Sequence, residues 1–217
     1  MTAATQGNVP PSMPDTLPST GKVQRLVFGI SGASGIPLAQ NALRHISNGT
    51  DLELHLIVSE GAQRVMEYEG RHDGDNGSAA RPEDLLACVA ASHSPSDLAA
   101  PPASGTWPAL GMVVCPCSMS TLASIATGVG HNLIHRAADV TLKERRPLIL
   151  VVRETPLSLV HIRNMQAATE AGATIMPFCP AFYAGNTSLE QMERYFTGRI
   201  LDQLRVPHDL CEHRWGE

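Results

Sequence analysis

Gln24-Arg25-Leu26-Val27-Phe28-Gly29-Ile30 runs straight into Ser31-Gly32-Ala33-Ser34-Gly35, and the reading of this junction decides the fold. The first seven residues form an apolar run of strand length. The next five are small and flexible, and a helical pattern opens at Ile36 and continues to about Ile46. A buried strand, a tight small-residue turn and a helix make the opening unit of a parallel α/β sheet.

The same alternation continues outward. Strands are expected at Leu52–Val58, Gly111–Cys115, Leu148–Val152 and Ala173–Pro177. Helices are expected at Glu60–Glu69, Pro82–Ala91, Ser118–Ala126, Asn132–Arg145, Leu157–Ala171 and Ser188–Leu204. Residues 70–80 (Gly, Asp and Asn) and 93–108 (Pro95, Pro101, Pro102 and Pro108) read as loops. Strands rich in Val, Ile and Leu that alternate with helices imply an α/β fold: a three-layer, Rossmann-like (flavodoxin-like) doubly wound parallel sheet. Such sheets bind ligands beyond the carboxyl ends of their strands.

The chain has 217 residues, 43% hydrophobic and only 4% aromatic, enough for one domain with closely packed helices. Residues 1–22, with Pro10, Pro11, Pro14 and Pro18, read as a disordered N-terminal tail, and 23–217 as the single domain. No run approaches the ~20 apolar residues of a membrane span, and nothing resembles a signal peptide. A net charge of −5 argues against a nucleic-acid surface but leaves room for a small anion met by local cations. Cys88, Cys115, Cys117, Cys179 and Cys211 are odd in number and mostly set among apolar residues, which fits reduced thiols in a cytoplasmic protein.

Five clusters carry chemistry. Gly29 to Gly35 has glycines spaced by three, unlike a dinucleotide fingerprint, and lacks the Gly-Lys-Ser/Thr of a Walker loop; it reads as a tight turn or a phosphate or flavin cradle. Cys115-Pro116-Cys117 lacks a second pair at zinc spacing and reads as core packing rather than a metal site. Ser118, Ser120 and Thr121 cap a helix and are able to meet an anion. Arg136 and Lys143, seven apart, share a helix face: a solvated basic face, or two cations for a phosphate. Arg145 and Arg146 suit the helix dipole. Arg153-Glu154 ends a strand, where burial needs a ligand or partner, and Tyr183 follows the last strand with Arg199 on the closing helix. The nine histidines form no catalytic arrangement; only His131 and His135 lie near these clusters.

Together these clusters resemble the UbiX-type flavin prenyltransferases. The resemblance rests on Ser31-Gly32-Ala33-Ser34-Gly35, Pro101-Pro102-Ala103-Ser104-Gly105, Cys115-Pro116-Cys117-Ser118, the run Asn132 to Arg146, Arg153-Glu154-Thr155-Pro156-Leu157, Pro180-Ala181-Phe182-Tyr183 and the terminal Arg214-Trp215-Gly216-Glu217. It implies an enzyme that transfers a dimethylallyl group from dimethylallyl phosphate to N5 and C6 of reduced FMN without a metal. The product, prenylated FMN, serves a UbiD-type decarboxylase. It also implies a homo-oligomer, typically a dodecamer, with sites at subunit contacts. By position, Gly32, Ala33, Ser34, Ser59, Ser118, Met119, Ser120, Thr121 and Arg153 are implied to hold FMN. Ser104, Arg136, Lys143, Tyr183 and Arg199 are implied to hold the dimethylallyl phosphate, and Ser34, Glu69, Lys143 and Glu154 to be catalytic. Leu98 stands where some members carry Trp, and His131 replaces a more usual Asn. The rival readings are an FMN-dependent decarboxylase of the cysteine-decarboxylase type, whose Pro-Ala-Ser-Ala-Asn-Thr motif is missing here, and a non-catalytic flavin-binding accessory subunit.

Overall fold

The computed structural model describes residues 24–72, 80–185, 187–212 and 214–216; the expected N-terminal tail (1–22) and most of the 70–80 loop lie outside the described residues. Six strands, β1 (Arg25–Ile30), β2 (Glu53–Val58), β3 (Ala91–His93), β4 (Gly111–Cys117), β5 (Leu148–Val152) and β6 (Thr174–Ile175), form one sheet in the order β3-β2-β1-β4-β5-β6. Every pairing is parallel. This is the doubly wound order, and without the three-residue edge strand β3 it reduces to the flavodoxin-like order. The order reverses between β1 and β4, so the ligand-binding crevice of such a sheet falls at their carboxyl ends.

Successive residues of each strand feed two different cores, as the two-residue period of a strand requires. Leu26, Phe28, Ile30, Val113 and Cys115 pack on one face with α1 (Ile36–Gly49), α2 (Glu60–His72), α3 (Pro82–Leu86) and α7 (Leu189–Leu204). Val27, Met112, Val114, Leu148 and Leu150 pack on the other with α4 (Met119–Thr127), α5 (Leu133–Lys143) and α6 (Leu159–Glu170). β4 and β5 are buried along their whole length, which explains their unbroken apolar sequences. Each fully buried Leu, Ile or Phe contributes roughly 1.5–3 kcal/mol by leaving water.

Three expectations need correction. The helix expected at Pro82–Ala91 stops at Leu86, and Ala91–His93 then adds a strand at the sheet edge. Three residues are too few for a periodic signal, so the pairing of β3 with β2 sets its structure rather than local preference. β4 runs to Cys117 and holds Pro116 inside it, because the register against β5 shifts between Val114 and Cys117 and the residue without an N–H falls in that irregularity. Finally, Asn132 and Ser158 cap their helices from outside, while Arg145, expected to close α5, has φ +55° beyond its end. Among the described residues no helix is long and apolar enough to cross a membrane.

Candidate active site at the β1–β4 crossover

Ser31 ties the two halves of the sheet together. Its amide and its hydroxyl both donate to the Pro116 carbonyl, at 3.1 and 3.0 Å, and its hydroxyl accepts the Ser118 amide at 2.8 Å. At 1% exposure it is internal mortar and does not face a ligand. Gly32, the next residue, is open to solvent but lies on the first turn of α2: a Cβ there would meet the backbone of Gly61 at 3.0 to 3.2 Å. Only glycine allows this approach, and the surface that results is bare backbone.

The hydroxyls expected to bind FMN are largely engaged as caps. Ser59 accepts the Ala62 amide at 3.1 Å to start α2. Ser118 accepts the Thr121 amide at 3.2 Å and donates to the Thr121 hydroxyl at 3.1 Å to start α4. Ser120 is exposed on the first turn of α4, where the leading amides have no intrahelical acceptor and the helix dipole favours an anion. The crossover therefore offers a phosphate a backbone cradle more than a ring of free hydroxyls, and Gly32, Ala33, Ser118, Met119, Ser120 and Thr121 build it.

Beside the cradle a cavity of about 320 Å³ is lined by Ser34, Gly35, Glu69, Pro116, Arg153, Phe178 and Glu193, among others. Gly35 has φ +107° and caps α1 without a side chain of its own; its amide donates instead to the Glu69 carboxylate at 3.1 Å. The second Glu69 oxygen is buried without a hydrogen-bond partner, a cost of roughly 1–3 kcal/mol that a ligand donor removes. Arg153 donates from Nε to the Ser34 carbonyl at 3.2 Å and keeps its other nitrogens at the surface. Glu154 is exposed, its carboxylate accepting the Thr155 amide at 3.0 Å. An open cradle, an unpartnered buried oxygen and a free guanidinium edge fit a flavin mononucleotide.

Glu193 was not singled out by sequence. It sits on α7 three, four and seven residues before Phe196, Thr197 and Ile200, so a polar residue in the buried stripe of that helix was the available signal. It accepts the Asn41 amide, and burial pushes its carboxyl up from the usual range.

A second cluster stands on α5. Arg136 donates from Nε to the Ala103 carbonyl at 3.2 Å and pairs with Asp139 at 2.8 Å. Lys143 pairs with Glu144, and a Cβ on Gly105 would collide with that pair. The hydrogen bond from Lys143 holds the Glu144 carboxyl below its ordinary range. Ser104, hydrogen-bonded to Thr106 at 2.9 Å, lies between these contacts. Arg146, expected only to suit the helix dipole, donates to the Gly105 and Trp107 carbonyls at 2.7 and 3.0 Å and so fixes the Ser104 loop. Leu98 falls at this cluster too, lining a 290 Å³ pocket with Arg136, His135 and Asp139.

Tyr183 and Arg199 form a third group elsewhere. The Tyr183 hydroxyl meets that of Tyr195 at 3.0 Å, and its ring stands edge-on to Trp215. Burial, with that hydrogen bond, pushes Tyr195 up to about 12. Arg199 donates to Asp202 at 2.6 Å, and Asp202 also receives Arg214 and His208. Cys211 is close enough to complete a metal-sized group with Asp202 and His208, but guanidinium groups already hold both Asp202 oxygens. Because α5 packs on one face of the sheet and α7 on the other, Arg199 and the Arg136–Lys143 pair do not share a face within one chain.

A parallel doubly wound sheet with a backbone cradle at its order reversal, a carboxylate with one buried unpartnered oxygen beside it and cations on a helix of the sheet defines a nucleotide- or flavin-binding α/β protein. The chain belongs to the flavoprotein family, whose model matches residues 15–195, and within it to the UbiX-type flavin prenyltransferases. It is 49% identical over 179 residues to the flavin prenyltransferase UbiX of Deinococcus radiodurans, covering 82% of this chain and 87% of that one. It is also similar to the crystal structure of AnUbiX (PadA1) in complex with FMN and dimethylallyl pyrophosphate (TM-score 0.81, 40% identity, covering 90% of this chain and 99% of that one). A dodecameric FMN-dependent UbiX-like decarboxylase from Escherichia coli O157:H7 matches with TM-score 0.80 and 36% identity over 89% of this chain and 100% of that one.

Proposed function

We propose that this protein is a flavin prenyltransferase that joins the dimethylallyl group of dimethylallyl phosphate to N5 and C6 of reduced FMN. The observation that carries this reading is the convergence of Arg136, Lys143 and the Ser104 loop, where two cations whose charge only exposed or half-exposed acids oppose stand beside the Ser104 hydroxyl. FMN, when bound, supplies the electron-rich ring that takes the allyl group. The protein's part is positional and electrostatic.

The cradle from Gly32 to Ser34, with Ser59, Met119, Ser120 and Thr121, holds the FMN phosphate and ribityl chain, and Arg153 closes over it. Arg136 and Lys143 stabilise the negative charge that grows on the departing phosphate as the allylic C–O bond breaks, a role in which a preorganised cation replaces a metal. Ser104 orients that phosphate. Glu154, exposed at the end of β5, accepts the C6 proton on ring closure. Glu69 fixes the Ser34–Gly35 turn through the Gly35 amide, and its unpartnered oxygen would accept a hydrogen bond from bound FMN.

Arg199 and Tyr183 complete the donor site from a neighbouring copy in a homo-oligomer, a dodecamer by analogy with the relative of that size. Support comes from the packing of α7 on the opposite sheet face from α5 and from exposed apolar side chains on α6 (Leu159, Val160 and Ile162) and beside Tyr183 (Phe182) that suit subunit contact. Residues 23–217 act as one flavoprotein unit in the cytoplasm, and the product passes to a UbiD-type decarboxylase. The decarboxylase alternative is weaker because the loop reads Pro101-Pro102-Ala103-Ser104-Gly105, and the accessory alternative because every acid and cation of the proposed site is present. Anaerobic incubation with reduced FMN and dimethylallyl phosphate, followed by mass analysis, tests this. A flavin heavier by one C5 unit is expected; unchanged flavin despite FMN binding overturns the proposal in favour of an accessory role.

A further inference from the structure

The loop between β3 and β4 carries Leu98 and Ser104, and both of its ends meet one side chain. His55, on β2 and 7% exposed, has Nδ1 2.9 Å from Nε2 of His93, where the loop begins. Its ring also stands edge-on to Trp107, where the loop ends, with centroids 4.7 Å apart. The two imidazoles lie nearly parallel, at 8°. The Arg25 guanidinium sits over the Trp107 ring at 5.6 Å and pairs with Glu53 at 3.0 Å. In between, the loop is held by α5 and the residues after it: Pro95 accepts the Leu133 amide at 2.7 Å, and Ala103, Gly105 and Trp107 accept from Arg136 and Arg146.

The second nitrogen of His55, Nε2, is buried without a hydrogen-bond partner, and the nearest acid, Glu53, is 4.0 Å away. A proton on Nε2 facing Glu53 leaves Nδ1 as the acceptor and His93 as the donor. This neutral arrangement satisfies the 2.9 Å contact, with Nε2 still unpartnered. Two protonated rings do not satisfy it, since both nitrogens of the contact then carry hydrogens and two like charges face each other.

We propose that His55, His93 and Trp107 form a clamp that positions the Ser104 loop against Arg136 and Lys143, and that protonation of the histidine pair releases it. The inference rests on the proposed function, because it assigns the loop to the dimethylallyl phosphate. The groups facing the pair are Glu53 and Arg25 at His55, Asp97 at His93, and Glu67 and Arg81 across the cavity that His93 helps to line. Burial lowers both histidines from their ordinary value, and His93 lowers His55 further. For a group depressed in the fold, the unfolded chain binds more protons, so the contribution is complete above the unfolded value of about 6.5 and is lost as pH falls below it. The clamp therefore holds at neutral pH and opens in acid.

The test compares the whole protein with its His93→Gln variant, which keeps a hydrogen-bonding side chain but cannot titrate. Calorimetric affinity for dimethylallyl phosphate is measured from pH 7.5 to 5.5; the ratio between the two proteins cancels the ligand's own ionisation. The wild type is expected to lose several-fold more affinity than the variant, while FMN affinity stays parallel in the two. A Trp215→Phe protein, with Trp107 as its remaining tryptophan, is expected to lose fluorescence over the same interval as the neighbouring imidazoles charge. A flat affinity ratio, or a Trp107 signal unchanged by pH, overturns the clamp while leaving the prenyltransferase reading intact. Failure of both proteins to bind dimethylallyl phosphate at any pH overturns that reading and the clamp with it.

Discussion

The crossover cradle and the α5 cation cluster are built in opposite ways. At the cradle, Ser31, Ser59, Ser118 and Thr121 are at least half-buried and hydrogen-bonded to one another or to helix amides, so the backbone is what remains for a ligand. On α5, Arg136 and Lys143 are nearly half-exposed and pair with Asp139 and Glu144, acids that solvent and salt screen, while Arg136 also donates to the Ala103 carbonyl. The first region is finished by folding alone; the second is finished by an anion and, in our account, by a neighbouring subunit. Stability and catalysis should therefore separate between them.

The largest separation is expected from Lys143→Ala. Turnover should fall by about 10²- to 10³-fold, as when one preorganised donor to a developing anion is removed, with FMN affinity and melting temperature unchanged. Steady-state kinetics beside FMN fluorescence titration would check it; equal loss in both would place Lys143 in the cradle instead. Ser31→Ala reverses the pattern. It strips the half-buried Ser118 amide of its acceptor, a loss of about 1–3 kcal/mol that urea denaturation would read, and FMN affinity should fall with it. Ser118→Ala, which removes the α4 cap, should cost about 1 kcal/mol by the same measurement and weaken FMN but not the donor.

Smaller effects sharpen the contrast further. Arg146→Ala frees the Gly105 and Trp107 carbonyls, and the expected result is a several-fold higher KM for dimethylallyl phosphate with kcat retained. The thiols give the smallest signal. Burial pushes Cys117 up to about 12 and Cys115 higher still, so neither forms thiolate at neutral pH. Iodoacetamide at pH 8 should modify exposed Cys179 and spare both, as peptide mass mapping would show.

Much of this was legible in the sequence. Gln24 to Gly35 announced a buried strand, a turn and a helix because strand burial writes an unbroken apolar run. The seven-residue spacing of Arg136 and Lys143 placed them together because a helix repeats nearly every seven residues. Other features were hidden for physical reasons. Ala91–His93 is a strand only because β2 pairs with it. Pro116 stands inside β4 because the register against β5 shifts there, which no local pattern encodes. Arg146 carried a helix-end signal while its real partners lie about forty residues earlier in the chain. The thiols were only partly as expected: Cys115 and Cys117 are buried, Cys88 and Cys211 half-buried and Cys179 exposed. Resemblance groups Arg199 and Tyr183 with the α5 cations, whereas the packing of α5 and α7 on opposite faces of the sheet separates them within one chain.

The shared site is the claim on which the account turns, and mixed assembly tests it most directly. Lys143→Ala and Arg199→Ala proteins should each be inactive alone. Co-assembled into one oligomer, with mixing verified by intact mass, they should regain prenyl transfer at contacts where an intact α5 of one chain meets an intact α7 of another. Verified mixed oligomers that stay inactive would contradict the account and place both cations in a site made by one chain.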